Sequence, residues 1–198
     1  MKRTFFITLL FVTTILSVHA QSESGNVFIA PKAGCNYSNF MKSNGSYKFG
    51  FTGGLDIEYF LSKKTALDTE IDFSRQGAHN LTYAADNSTY DYRVNLLSFN
   101  VVAKYYPVKH FNIFAGGQAA RVVFCKANGL DIKDDVKHGL YGATAGMGLE
   151  MGKFTIDARY VYYINKLAKT EDTLTKAVLK DATLGGVWLT VGYKIQMF

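Results

Sequence analysis

Proline is almost missing from this chain of 198 residues: Pro31 and Pro107 are its only two, which excludes collagen-like or polyproline character. Cysteine is as scarce, and Cys35 and Cys125 are too few for a disulfide-stapled scaffold. Beyond residue 20 no run approaches eighteen apolar positions, so the pattern contains no helical membrane span. A concentrated charge of one sign is missing too. The 22 Lys and Arg outnumber 16 Asp and Glu, but they are scattered among the acids and form no basic stripe, which argues against nucleic acid as a partner. What the chain has in plenty is 18 Gly, 13 Tyr and 15 Phe, a balance that favours an all-β fold.

The first twenty residues read as a signal peptide: Lys2 and Arg3, an apolar stretch from Phe5 to Val18, then Val18-His19-Ala20 ahead of a cut at Gln21. A membrane anchor is the rival, but the apolar run is short and the polar segment Gln21 to Asn26 carries no basic stop-transfer cluster. No cysteine lies near Gln21, which argues against a lipid-anchored terminus. The expected organisation is a signal peptide over 1–20 and one domain over 21–198. That domain keeps 20 Lys and Arg against 16 acids, a net charge of +4.

Within the domain eight segments alternate apolar and polar residues at period two. Phe49, Phe51, Leu55, Ile57 and Tyr59 face one way while Thr52, Asp56 and Glu58 face the other; Leu67, Thr69, Ile71 and Phe73 oppose Asp68, Glu70 and Asp72. The gaps run long, short, long, short. Residues 62–64, 107–110 and 152–153 are turns, and 38–48, 77–90, 124–138 and 164–185 are loops. This predicts an all-β, eight-stranded antiparallel up-and-down transmembrane β-barrel with long extracellular loops. A soluble sandwich would bury its oily face, whereas here the ions fall inward: Lys32, Asp56, Glu58, Asp68, Glu70, Asp72, Lys104, Glu150, Asp157, Arg159 and Lys194. Aromatics gather at both strand ends, with Tyr37, Phe49, Phe73, Tyr92, Tyr141 and Tyr162 in one girdle and Tyr59, Tyr105, Phe111, Phe154 and Tyr193 in the other. Pro31 forfeits a ladder hydrogen bond, so pairing in the first strand is expected to bulge or to begin at Lys32. Cys35 and Cys125 fall on opposite walls, too far apart for a disulfide.

Glu58, Asp68, Glu70, Asp72, Lys104, Asp157 and Arg159 form the candidate lumen network. Crowded carboxylates can bind a cation or a proton. A narrow barrel is also filled by its own side chains, and buried ions must pair, which makes a polar plug the reading adopted. No catalytic, cofactor or metal site is expected. His79, His110 and His138 have no serine two residues away on the same strand face, and no paired His or Cys set suits zinc. Asp131, Asp134 and Asp135 lack the spacing of a calcium loop. In the fourth loop Thr170 can cap a short helix bearing Leu174, Ala177 and Val178, which would bind a partner or pack over the barrel mouth.

The segment Lys32-Ala33-Gly34-Cys35-Asn36-Tyr37-Ser38 resembles the first strand of the PorT-like outer-membrane β-barrel proteins of Bacteroidetes. Glu70 to Gly77 resembles their third strand, Lys104-Tyr105-Tyr106-Pro107 their fourth-strand exit, and Arg159-Tyr160 and Gly192-Tyr193-Lys194 their last two strands. Asn100 stands where the family often has proline, and Gln196-Met197-Phe198 runs past the usual ending. The resemblance implies an outer-membrane protein that meets lipid and the barrel-assembly machinery, the latter through a terminal aromatic although Phe198 is out of phase with Tyr193. The expected role is a monomeric structural or interaction protein with a protein partner at its extracellular loops. A narrow pore or a lipid-modifying enzyme is the alternative.

Overall fold

The computed structural model describes residues 24–41, 43–82, 89–133, 136–167 and 182–197. Its strands are β1 (Val27–Met41), β2 (Ser46–Ser62), β3 (Thr65–Thr82), β4 (Thr89–Val108), β5 (Phe111–Ala127), β6 (Leu130–Asp131), β7 (Gly139–Met151), β8 (Phe154–Tyr163), β9 (Thr183–Tyr193) and β10 (Ile195–Gln196). Eight long strands pair antiparallel in the order β1-β2-β3-β4-β5-β7-β8-β9, and β9 returns to β1. The closing ladder runs from Lys32↔Gly192 to Met41↔Thr183 and resumes through β10 at Ile29↔Ile195 and Phe28↔Gln196. β6 is a short hairpin folded back on β5. A sheet closed in this way has no edge to fray, so folded protein in detergent should migrate differently on gels before and after boiling. Identical mobility would reject closure.

The turns at 63–64, 109–110 and 152–153 connect strands of one end directly, with Gly152 at φ +65°, a left-handed conformation that glycine adopts without steric cost. Around the wall the odd-numbered side chains of β2, β3, β4 and β5 form an exposed apolar belt that includes Phe51, Ile57, Ile71, Phe99 and Ile113. The belt is the lipid-facing surface of a membrane barrel.

Three expectations need correction. Pro31 causes neither a bulge nor a late start: β1 pairs with β2 in unbroken register from Val27↔Tyr59 to Ser38↔Lys48, through Pro31↔Leu55. The interruption falls on the other side, at the closing seam, where Lys194 separates β9 from β10 opposite this part of β1. A residue without an N–H weakens one ladder while leaving the other intact. The first three loops are also shorter than expected, because β1 to β5 continue past the belt; β4 alone has 20 residues, against roughly 9 to 11 for a membrane-crossing strand. Tyr92, finally, is not in the girdle. It is 4% exposed and points into the barrel, with its ring edge-on to Phe40 at 5.8 Å.

The last two corrections have one cause. Above Phe73 and Leu97 the side-chain polarity inverts: Arg75, Arg93, Arg121 and Lys126 face outward, while Ala78, Val94, Leu96, Val122 and Cys125 are buried inside. Outside the membrane the surroundings are water, so the buried face must become the apolar one. No disulfide joins Cys35 to Cys125, which lie in β1 and β5 of the ring.

Candidate functional site

Every second residue of each strand points into the barrel, and these side chains fill it in layers. At the end carrying the two-residue turns, Phe28, Phe60, Ala66 and Tyr106 form a small apolar floor, with Phe28 and Phe60 edge-to-face at 5.7 Å. At the loop end a larger apolar dome gathers Phe40, Leu81, Leu96, Val136, Leu140, Leu167, Leu184 and Trp188. Between floor and dome lies the charged layer.

Glu70 is its centre. Arg159 grips this carboxylate with both terminal nitrogens, at 2.5 and 2.8 Å, while Lys32 approaches it at 2.9 Å and Asn100 donates at 2.9 Å. Two parallel N–H···O bonds fix a carboxylate in direction as well as position. Lys32 also bridges Asp56 at 2.7 Å and Asp72 at 3.3 Å, and Asn100 donates to Asp72 at 2.7 Å. The guanidinium of Arg159 lies over the Phe114 ring, 5.0 Å from its centroid, so an aromatic face covers the side of the cation that no carboxylate reaches.

A second set of pairs sits nearer the floor. Lys104 bonds Asp68 at 2.6 Å and stands 3.8 Å from Glu58. Lys194 joins Glu58 and Glu150, each at 2.5 Å, and the Tyr106 hydroxyl stands within hydrogen-bond distance of both of those carboxylates, with one proton to give. Lys194 also lies within 5.3 to 5.8 Å of the ring centroids of Phe28, Phe60 and Tyr106, which ties the charged layer to the apolar floor.

All seven network residues identified from the sequence point inward, but the structure joins them unequally. Glu70 and Arg159 form the tightest pair, Asp68 goes with Lys104, and Asp157 stands apart, reaching Arg159 only at 3.8 Å. Lys32, Asp56, Asn100, Tyr106, Glu150 and Lys194 complete the network. Tyr106 was legible in principle, because it continues the even-numbered inward face of β4 beyond Lys104. Asp56, Asp68 and Glu70 place carboxylate oxygens within 4.8 Å of one another, yet Lys32, Lys104 and Arg159 already neutralise them.

Glycines make the room. A Cβ at Gly146 would meet the Ala158 carbonyl oxygen of the neighbouring strand and would stand 2.7 Å from the Phe114 ring and 2.8 Å from Cβ of Arg159. Gly146→Val should therefore displace the Phe114 ring and the base of Arg159 and cost about 1–3 kcal/mol by overpacking, measured as a lower urea midpoint. An unchanged midpoint would show that the layer is loosely packed.

His79 lies within β3, not in a loop, and shares a 2.7 Å hydrogen bond with Asp91 of β4. His110 occupies the turn after β4, and His138 precedes β7. Asp131 is in β6; Asp134, Asp135 and the expected helix around Thr170 lie outside the described residues.

A closed sheet with an oily exterior and paired ions inside is the arrangement of a small bacterial outer-membrane barrel, and the sequence comparison agrees. The family described as outer membrane protein beta-barrel domain matches residues 19–169. The chain belongs to that family. Among solved structures it is similar to Neisserial surface protein A, at 16% identity and a TM-score of 0.53, over 87% of this chain and 98% of that one. It is also similar to Ail, the attachment invasion locus protein of Yersinia pestis, at 16% identity and a TM-score of 0.50, over 87% and 99%. At these identities the likeness concerns the fold. No curated protein matches the sequence. Family and fold together place this barrel in the outer membrane.

Proposed function

We propose that this chain is a plugged, monomeric outer-membrane barrel whose activity lies in binding through its extracellular hairpins and fourth loop, within the PorT-like branch of the family. Export by the segment 1–20 and insertion by the barrel-assembly machinery belong to the same proposal. The observation that carries it is the filling of the lumen at three successive levels: the aromatic floor, the ion-pair layer and the apolar dome. The alternative of a narrow pore needs a continuous wet path. Among the described residues of the lumen, the cavity beside Gln76, Gln118 and Arg159 has a volume of about 20 Å³, room on the order of a single water.

Planar-bilayer recording tests this. The purified protein is expected to give no steady conductance steps, and reproducible steps would overturn the plugged reading. Replacing residues 168–181 of the fourth loop, which spares β9 and the dome residues Leu167 and Leu184, by a short glycine-containing turn should leave a heat-modifiable barrel that no longer captures the partner cross-linked by the intact protein in whole cells. An unchanged set of captured proteins would move the binding role to the β3–β4 hairpin.

A further inference from the structure

The outer face of β3, β4 and β5 changes abruptly at the upper edge of the apolar belt. Up to Phe73, Leu97 and Ala119 the outward residues are apolar except for Thr65 and Thr69; beyond them come Arg75 on β3, Asn95 and then Arg93 on β4, and Arg121 on β5, the three arginines all exposed. Register fixes their spacing. Arg75 stands opposite Asn95, Arg93 opposite Gly77, and Arg121 opposite Leu97. Adjacent strands lie about 4.8 Å apart and same-face neighbours along a strand about 6.8 Å apart. At the backbone the three arginines are therefore each roughly 5–9 Å from Asn95, Arg75 beside it, Arg93 above it and Arg121 diagonal to it below its β5 partner Phe124, and the Oδ1 of Asn95 is shielded from solvent and has no hydrogen-bond partner.

None of the ion pairs between described residues includes Arg75, Arg93 or Arg121. The nearest outward carboxylate along β4, that of Asp91, is taken by His79 and Lys48. Asp131 lies opposite Lys126, further up the β5 hairpin. Among the described residues the arginines are thus a positive patch with no carboxylate paired to it.

Directly below Arg121 the wall is grooved. Phe99, Ala119 and Tyr141 stand side by side on β4, β5 and β7, and the small Ala119 between two rings forms the floor of an open cavity of about 390 Å³. Arg121 is at its rim, and the groove opens onto the lipid-facing belt.

We propose that this face binds a phosphate-bearing lipid of the outer leaflet, with its phosphate on Arg75, Arg93 and Arg121 and an acyl chain over Ala119. Guanidinium forks match phosphate oxygens, and basic residues at a membrane surface draw anionic headgroups. A free anion would use only the upper half of the site. The groove continuing downward into the belt is what selects a lipid.

The test uses the full barrel in detergent, titrated by native mass spectrometry with phosphatidic acid and with phosphatidylcholine of identical chains. The intact protein should bind phosphatidic acid at least tenfold more tightly. Arg75→Gln/Arg93→Gln/Arg121→Gln should remove that preference while the barrel stays heat-modifiable, and each single change should weaken it in part. Ala119→Phe should lower phosphatidic acid affinity several-fold with the arginines intact, and equimolar inorganic phosphate should not displace the lipid. Equal affinity for the two lipids, a preference surviving the triple change, indifference to Ala119→Phe, or displacement by inorganic phosphate would each overturn the proposal.

Discussion

Arg159→Ala should lower the unfolding free energy by about 3–5 kcal/mol, the range for removing one partner from a buried ion pair. Glu70 would lose its bidentate partner and keep its charge, and Asp157 would lose the nearest cation. The layer is already acid-rich, because Asp56, Glu58, Asp68, Glu70, Asp72, Glu150 and Asp157 face only Lys32, Lys104, Arg159 and Lys194. Taking away a cation worsens that imbalance, whereas Asp157→Asn relieves it and should cost far less. The single tryptophan reports the difference directly, since Trp188 is inside the barrel and is paired with Arg159 across β8 and β9. Urea unfolding followed by its fluorescence should show the two variants well separated. Equal midpoints would mean that the layer is wet and its pairs are screened.

Val94→Asp should be comparably damaging, by about 3 kcal/mol or more, and for a different reason. Val94 is fully buried in the apolar dome between Tyr92 and Leu96 on β4. A carboxylate placed there would have no cation beside it and would be cut off from water. The neighbouring outward change Arg93→Ser should stay within about 0.5 kcal/mol, as exposed substitutions do. The pair of measurements checks the polarity inversion itself: if Arg93→Ser proved the costlier change, the strands above the belt would have to face the other way.

The membrane-spanning half of the molecule was readable because its two faces meet different media, lipid and a packed polar lumen, and period-two alternation records that contrast residue by residue. Leu67-Asp68-Thr69-Glu70-Ile71-Asp72-Phe73 assigns a strand, a direction for each side chain and the location of the charges without further information. Short turns such as Gly152-Lys153 then set the order of neighbours, because an antiparallel hairpin leaves no other choice. The upper half was not readable by the same rule. Val94, Leu96 and Tyr92 alternate as regularly as the belt does, but with the opposite meaning, and only the height of a residue relative to the membrane decides which meaning applies.

Pairing within the lumen was beyond the sequence for a geometric reason. Arg159 and Glu70 are 89 residues apart on β8 and β3, and these strands are not neighbours in the ring. Parity shows that both side chains point inward; it carries no information about which of several inward acids a guanidinium meets across the barrel. That depends on strand stagger and on the space left by Gly146. The sequence by itself determined the membrane-spanning parts of the strands, their facing there and the presence of an ionic interior, since these follow from local alternation between two media. The tertiary structure alone decided the ion-pair partners, the apolar dome and the clustering of Arg75, Arg93 and Arg121, because each depends on register between strands distant in the chain.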